Sequence, residues 1–151
     1  MKYIFKLSAL ATLFALALTL ASLNVKAADM PAATAAHTHD KVVFQVSDAG
    51  PAKWNLTLNN AKNIQDAVGK NNVDIEIVAF GPGIEMLKRE SEMGGKIDKA
   101  LADGIKIVAC ENTMKAMKLT TADMLPTIGY VPSGVVELMS KQKEDWSYLR
   151  P

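Results

Sequence analysis

The chain has 151 residues, with 17 basic and 16 acidic side chains and a single cysteine. This length suits one domain with a real core and excludes two, and one cysteine excludes a disulfide within the chain. Three of the lysines precede an expected cleavage point after residue 27, so the remaining 124 residues carry 14 basic and 16 acidic side chains, a net charge of about −2. Nucleic acid is therefore not an expected partner, because its binding depends on clustered lysine and arginine.

The first residues have the pattern of a secretory signal peptide. Lys2 and Lys6 precede an apolar run over residues 7–23, and residues 25–27 (Val-Lys-Ala) form a cleavage site of the expected type. A retained membrane anchor is the alternative, but the run of about 17 residues is at the short end for a spanning helix. We therefore expect residues 1–27 to be removed and the mature protein to be periplasmic, without a membrane attachment.

Residues 28–40 are rich in alanine, threonine and histidine and lack apolar periodicity, so we interpret them as a flexible leader. Within them, His37, His39 and Asp40 invite a copper or zinc interpretation. Two histidines without further fixed ligands are a weak site, so a solvated tail is favoured and no metal is expected. The methionines fall on helical patterns, which indicates packing in the core and between subunits rather than copper ligation.

From residue 41 to residue 151 the pattern alternates strands and helices and predicts a single α/β domain. Residues 42–46 are mostly β-branched or aromatic and predict a buried strand that ends in a turn. Residues 73–80 predict a second strand, in which Asp74 and Glu76 are the polar positions of an alternating pattern. A helix between these strands is predicted to end at Gly69, and its buried face contains Trp54, Leu58, Ala61, Ile64 and Val68.

The second half of the domain continues the alternation. The predicted elements are helical segments at 84–89 and 97–101, a strand at 105–109, a helix at 112–117, a strand at 128–131, a helix at 133–142 and an extended segment at 146–149. Continuous Val/Ile strands are typical of a parallel sheet that is covered on both faces. The predicted fold class is α/β, a three-layer α/β/α sandwich with a mainly parallel sheet of about five strands. In such sheets the chemistry lies beyond the carboxyl ends of the strands.

Four segments in register resemble the DsrE-like family (DsrE, DsrF and TusD type), in its exported and uncharacterised branch. They are residues 76–87 (EIVAFGPGIEML), 107–114 (IVACENTM), 131–138 (VPSGVVEL) and 146–151 (WSYLRP). The resemblance implies the sandwich fold, a homo-oligomer such as a trimer or hexamer, and a functional cysteine at Cys110 that relays sulfur as a persulfide. Many relatives of that branch have histidine where this chain has Phe80, so no imidazole is placed to activate the thiol.

Cys110 is the candidate catalytic residue, at a strand end just before a predicted helix. Unsatisfied backbone N–H groups and the helix dipole favour the thiolate there. The thiolate is the form that accepts sulfur or attacks a disulfide. Glu111 would raise the pKa of the thiol if its carboxylate faced inward. The alternative is that Cys110 is a small buried residue that closes the strand.

Six further residues at the same sheet edge are candidate binding residues: Gly81, Gly83, Asn112, Thr113, Ser133 and Gly134. The two glycines around Pro82 could let a ligand approach the backbone, although a plain strand-to-helix turn is favoured. Asn112 and Thr113 could donate hydrogen bonds to a thiolate or persulfide, although capping of the following helix is favoured. Ser133 is favoured as the N-cap of the next helix, with a place in the cysteine pocket as the alternative.

The function predicted from these residues is sulfur handling in the periplasm, as a persulfide relay or thiol exchange through Cys110 with a sulfur donor or acceptor protein. The sequence has no cofactor loop, no His/Asp partner and no carboxylate pair in a motif. Any activity is therefore expected to be sulfur transfer, without a cofactor, rather than hydrolysis or oxidoreduction. The main alternative is a non-catalytic homo-oligomer that binds a small ligand or acts as a scaffold, with Cys110 structural. A metal-binding accessory protein that uses the leader around His37 is a third hypothesis.

Overall fold

A computed structural model of the chain describes residues 39–151. The predicted signal peptide and the leader up to residue 38, including His37, lie outside the described residues. The first strand already begins at Asp40, the last residue of the predicted leader. Within the described part, no helix has both the length and the apolar character needed to cross a membrane.

In residues 39–151, five strands form one sheet in the order β4-β3-β2-β1-β5, and all four pairings of neighbouring strands are parallel. The strands are β1 (Asp40–Val46), β2 (Val73–Ala79), β3 (Lys106–Cys110), β4 (Gly129–Val131) and β5 (Ser147–Leu149). The predicted fold class is therefore confirmed. The central strands are runs of valine and isoleucine because both of their faces are covered.

The described residues contain four α-helices and three 3₁₀ segments. The α-helices are α1 (Pro51–Val68), α2 (Gly94–Ala102), α3 (Glu111–Ala116) and α4 (Gly134–Lys143). The 3₁₀ segments are Lys70–Asn72, Gly81–Leu87 and Thr121–Asp123. The helical segment predicted at 84–89 is thus a 3₁₀ segment that begins three residues earlier, directly after β2.

The two faces of the sheet are covered unequally. On the first face, Phe44, Ile77 and Ile107 belong to a large core that includes residues of α1, α2 and α3. On the second face, Val43 and Val78 belong to a smaller cluster of five buried residues, in which Leu138 is contributed by α4. Alternation along each strand sends neighbouring side chains to opposite faces, so β2 contributes to both cores.

The strand order explains this asymmetry. The connections from β1 to β2, β3 and β4 step across the sheet in one direction, whereas the connection from β4 to β5 returns to the far side of β1. Right-handed crossovers then place α1, α2 and α3 on one face and α4 on the other. The strands β3 and β4 are neighbours in the sheet, but β3 leads into α3 on one face and β4 leads into α4 on the other. In open α/β sheets the ligand crevice lies at such a switch point.

The buried face of α1 differs from the prediction at its C-terminal half. Trp54, Leu58 and Ala61 are buried as predicted, together with Thr57 and Gln65. Ile64 is partly buried and packs against the core, as its place on this face predicts, whereas Val68 is exposed, so its predicted burial was wrong. Gln65 tolerates burial because its Nε2 donates a hydrogen bond to the Asp103 carbonyl oxygen at 2.9 Å.

Glu76 departs from the alternating pattern of β2. The sequence places it with Asp74 at the polar positions of the strand, and Asp74 is indeed exposed. Glu76 is completely buried. Glu76 is buried because α4 lies across the second face and brings Nζ of Lys141 within 3.1 Å of the carboxylate. A single-strand pattern does not reveal a helix that arrives 65 residues later in the chain.

Candidate cysteine site

An open cleft lies at the carboxyl ends of β2, β3 and β4, with a volume of about 640 Å³. It contains five of the residues that the sequence singled out: Gly81, Cys110, Asn112, Thr113 and Ser133. Three separate segments of the chain converge here because the strands are parallel and all end at this edge. The cleft also lies at the switch point between β3 and β4, where parallel sheets typically bind ligands.

Cys110 is the last residue of β3 and the N-cap residue of α3, which confirms its predicted position between strand and helix. Only 4% of the residue is exposed, and it forms part of the cleft lining. The thiol is thus at the base of the cleft rather than on the protein surface. A reagent or partner group must enter the cleft to reach the sulfur.

The hydrogen bonds around Cys110 favour its thiolate. Burial by itself raises the pKa of the thiol, but a hydrogen bond from the Gly134 backbone N–H lowers it, and so do bonds from the Thr113 hydroxyl and N–H and from the Asn112 N–H. The net effect is a pKa below the ordinary thiol value. Donors that point at a buried sulfur stabilise its charged form, because the charge has no water to solvate it. Glu111 is exposed and is not among the groups that shift this pKa.

The Thr113 side chain links two segments of the cleft. Its Oγ1 accepts a hydrogen bond from the Gly81 N–H at 3.0 Å, and the same hydroxyl lowers the pKa of the Cys110 thiol. The Asn112 N–H donates to the Pro132 carbonyl oxygen at 3.2 Å and so connects the β3 and β4 ends. Neither side chain caps α3, so the favoured capping interpretation was wrong for both residues.

Ser133 occupies the N-cap position of α4, as predicted, but its hydroxyl makes no capping hydrogen bond. It lies instead in the cleft lining, which was the alternative interpretation. Gly134, the first residue of α4, contributes its backbone N–H to the groups that lower the pKa of the Cys110 thiol. The start of α4 thus contributes a donor to the site through its backbone.

The glycines of the site have different roles. A Cβ atom on Gly83 would lie 2.2 Å from the Val46 carbonyl oxygen, so Gly83 allows close packing against the end of β1 and lies outside the cleft lining. A Cβ atom on Gly134 would lie 3.0 Å from the Phe80 ring. Gly81 has a φ of 52°, in the left-handed region that favours glycine. These three positions are thus restricted to glycine by backbone geometry or by close packing.

Phe80 stands against the start of α4 and forms one wall of the cleft. The ring belongs to the small core of the second face, so it is part of the packing that places α4. Within residues 39–151, no imidazole takes the place of the Phe80 ring near the thiol. The histidine of this part of the chain is His39, and its Nε2 lies 2.9 Å from Oδ1 of Asp74. Within residues 39–151, the groups that lower the pKa of Cys110 are hydrogen-bond donors.

Four residues of the cleft lining were not predicted from the sequence. They are Ala116, Met117 and Val135, which are apolar, and Glu85, which pairs with Lys88 at 3.1 Å. The methionines were predicted to pack in the core or between subunits, and Met117, like Val135, is exposed within this chain. Helical periodicity identifies an apolar face but does not tell whether that face meets the core or a cleft.

The described part of the chain offers no further ligands for a metal site that would use the leader around His37. Residues 39–151 hold no group of three or more His, Cys, Asp or Glu side chains that could bind a metal ion. The methionines divide into two sets: Met86, Met93, Met114 and Met124 are buried, whereas Met117 and Met139 are exposed. Core packing is thus confirmed for four of the six described methionines.

The fold and the site define a small α/β protein of parallel topology with a hydrogen-bonded cysteine at the switch point of its sheet. The family model of the DsrE/DsrF-like family matches residues 8–151, nearly the whole chain. The chain belongs to this family. The predicted resemblance is therefore confirmed, and with it the membership of a family that is linked to sulfur relay.

Solved structures of similar fold support this assignment. A protein of unknown function from Methanobacterium thermoautotrophicum is 31% identical, with a TM-score of 0.71, and the match covers 74% of this chain and 99% of that one. A conserved protein of unknown function from Bacteroides thetaiotaomicron is 18% identical (TM-score 0.62, 74% and 95% covered). The ychN protein from E. coli is 12% identical (TM-score 0.59, 74% and 99% covered) and, like the second, shows the shared fold alone. No curated protein matches the chain.

Proposed function

We propose that this protein handles sulfur in the periplasm, with Cys110 as the residue that accepts and passes on a sulfur atom as a persulfide. The observation that carries the proposal is a buried thiol in the lining of an open cleft, and the neighbouring Gly134 N–H and Thr113 hydroxyl lower its pKa. Membership of the DsrE/DsrF-like family supports the same chemistry. The periplasmic location depends on the signal-peptide pattern of residues 1–27.

In this proposal the Cys110 thiolate attacks the outer sulfur of a donor persulfide. A new S–S bond forms at Sγ, the S–S bond of the donor breaks, and the donor leaves as a thiolate. An acceptor thiolate then repeats the step on the Cys110 persulfide and restores the Cys110 thiolate. Each transfer exchanges one S–S bond for another, so it requires no external oxidant, reductant or cofactor.

The neighbours of Cys110 have defined roles in this scheme. The Gly134 N–H and the Thr113 hydroxyl stabilise negative charge on Sγ when Cys110 is the nucleophile and again when it is the leaving group. Phe80 and Pro82 form apolar walls that shield a persulfide from water. The protein would act as a sulfur-transfer protein with a donor or acceptor protein docked at the mouth of the cleft.

Transfer of sulfur from a small persulfide donor tests this function directly. The mature protein is incubated with glutathione persulfide and analysed by intact-protein mass spectrometry. We expect the wild-type chain to gain one sulfur atom, the Cys110→Ser variant to gain none, and a small thiol acceptor to remove the added sulfur. Equal labelling of the wild type and Cys110→Ser, or no labelling of either, contradicts the proposal.

A second candidate function is the binding of a small apolar ligand, with Cys110 structural. It is favoured by the apolar lining and by the cleft volume of about 640 Å³, which falls in the usual range of small-molecule sites. It predicts a thiol that reacts only after unfolding. It also predicts that Cys110→Ala leaves the binding of an apolar fluorescent probe to the native protein unchanged.

We further propose a homo-oligomer that uses the outer face of α4. Val135, Val136 and Met139 are exposed by 62%, 52% and 48%, and they recur at helical spacing. Exposed apolar residues that are grouped on one helix face commonly mark a protein contact. Sedimentation equilibrium of the mature protein measures the number of subunits.

A further inference from the structure

A fully buried carboxylate lies on the second face of the sheet, beneath α4. It belongs to Glu76 in β2. Its Oε2 lies 3.0 Å from Nζ of Lys106, the residue paired with it in β3, and 3.1 Å from Nζ of Lys141 in α4. The two lysines differ in burial, because the side chain of Lys106 is 58% exposed and that of Lys141 is 15% exposed. Lys106 can therefore turn to water, whereas Lys141 is largely enclosed with the carboxylate.

Stability alone does not account for this buried ion pair. Removing a carboxylate and an ammonium group from water costs free energy, which their attraction offsets only if further hydrogen bonds satisfy the pair. Neither oxygen of Glu76 accepts an aligned hydrogen bond within residues 39–151. Two apolar side chains of similar volume would therefore be about as stable at this place. The pair is better explained by what it positions than by what it stabilises.

The element that the ion pair can position is α4. Two of its ten residues are buried, Gly134 and Leu138. Together with Lys141 they follow at spacings of four and three, so all three lie on one face of the helix. Leu138 contacts the apolar cluster of the second face, and such contacts have no preferred direction. The ion pair instead places one nitrogen against one oxygen of Glu76, and this fixes where α4 lies along the sheet.

Lys141 is itself fixed by the segment that leads into β5. The ring of Trp146 lies 4.3 Å from Nζ of Lys141, a cation–π contact. The Trp146 N–H also donates a hydrogen bond to the Lys141 carbonyl oxygen at 3.1 Å. Glu137, one turn earlier on the helix, lies 3.6 Å from the same Nζ. The lysine is therefore contacted from α4, from β2 and from the segment before β5.

The other end of α4 forms part of the cysteine cleft. Ser133 and Val135, on either side of Gly134, line the cleft together with Cys110. Gly134 packs so closely against Phe80, another wall of the cleft, that a Cβ atom there would lie 3.0 Å from the ring. The helix has ten residues and is a rigid element, so a shift near its C-terminal end also moves its start relative to Cys110.

We propose that the ion pair between Lys141 and Glu76 positions the start of α4 against Cys110. Both are positioning residues, since neither belongs to the cleft lining. The N–H of Gly134, which lowers the pKa of the thiol, is the group at the helix start that such a shift displaces. The inference deepens the proposed function and rests on it for the role of Cys110.

Two variants that each remove one lysine test the inference on the mature protein. Lys141→Met and Lys106→Met both delete a positive charge that contacts the same oxygen of Glu76, but Lys141 lies on α4 and Lys106 on the sheet. The measurement is the alkylation rate of Cys110 by iodoacetamide as a function of pH. We expect Lys141→Met to move the profile to higher pH and to slow alkylation at neutral pH by up to about tenfold. Lys106→Met should keep the wild-type profile. The same profile in both variants, shifted or not, overturns the inference.

A double variant separates positioning from stability, and it remains informative if Lys141→Met alone does not fold. Glu76→Met with Lys141→Met replaces the ion pair by two apolar side chains of similar volume, so we expect a denaturant midpoint close to that of the wild type. Its alkylation profile should still be shifted, because the directional contact is lost. Lys141→Arg retains the charge and should keep the wild-type profile. A stable double variant with the wild-type profile overturns the inference.

Alkylation reports on the thiol alone, so these results do not depend on persulfide chemistry. A shifted profile in Lys141→Met, with no uptake of sulfur by the wild type from glutathione persulfide, would overturn the proposed function and support the positioning role. The wild-type profile in Lys141→Met, with sulfur uptake by the wild type, would overturn the positioning role and support the proposed function.

Discussion

The two faces of the sheet differ in how they are built. The first face is covered by α1, α2 and α3 and contains most of the buried apolar side chains. The second face is covered, within residues 39–151, by α4, and it combines five buried apolar residues with the buried carboxylate of Glu76. Side chains alternate between the two faces along β3, so Cys110 lies on the same face as Lys106 and Val108, which is the second face.

This difference separates stability from chemistry. Apolar burial on the first face supplies most of the hydrophobic contribution to folding, because that contribution scales with the area removed from water. The second face buries less apolar surface and contains ionisable groups whose hydrogen bonds depend on the placement of one helix. Variants on the first face should therefore change stability without changing the thiol, and variants at the start of α4 should change the thiol more than stability.

The largest expected effect is the loss of stability in Ile107→Ala. Ile107 is completely buried on the first face, in the same strand as Cys110. Removing most of its side chain leaves a cavity, which typically costs about 2–5 kcal/mol of unfolding free energy. Denaturant unfolding measures this cost. The pH dependence of Cys110 alkylation in the folded variant should remain that of the wild type, and a shifted thiol pKa would show that the two faces are not independent.

The next effect is expected in Gly134→Ala. The added Cβ would lie 3.0 Å from the Phe80 ring, so either the ring or the start of α4 must shift by a few tenths of an ångström. A shift of the helix start weakens the contact of the Gly134 N–H with the thiol. Weakening of this contact should raise the pKa of Cys110 and slow its alkylation at neutral pH by up to about tenfold. Gly95→Ala is the matched control, because a Cβ atom there meets nothing within 4 Å. If both variants alkylate at the wild-type rate, the Gly134 N–H does not tune the thiol.

A smaller effect is expected in Thr113→Val, which keeps the shape of the side chain and removes the hydroxyl. The hydroxyl contributes less than the Gly134 N–H to lowering the pKa of Cys110, so we expect a smaller rise of this pKa than in Gly134→Ala. Thr127→Val is the control, since the Thr127 hydroxyl bonds to Asp98 at 3.3 Å on the exposed surface. Alkylation as a function of pH compares the two variants. A larger rise of the thiol pKa in Thr113→Val than in Gly134→Ala would show that the hydroxyl, and not the Gly134 N–H, contributes more to lowering this pKa.

Much of the first face could be predicted from the sequence. Strands with continuous valine and isoleucine, and the pattern that predicts α1, are local signals, and the parallel sheet follows from their alternation. The burial of Gln65 on this face was missed because its side chain donates to a carbonyl oxygen in a distant turn, which no helical pattern encodes. The position of Cys110 at a strand end was likewise visible in the sequence.

The second face could not be predicted in the same way. Glu76 has the sequence signal of a solvent-facing residue, and its burial depends on Lys106 and Lys141, which are distant in the chain. The donors around Cys110 are mostly backbone N–H groups, and backbone groups leave no residue signature. Thr113 was recognised as a candidate, but its bond to the Gly81 N–H requires the packing of two loops.

The most direct test of the account is the alkylation rate of Cys110 in the mature native protein as a function of pH, together with the intact mass of the untreated sample. We predict a thiol that reacts in the folded state with an apparent pKa clearly below the free value of about 8.5, and that carries an additional sulfur atom in part of the sample. A thiol that reacts only after unfolding, with no added sulfur, would contradict the account and would make Cys110 a residue of the core.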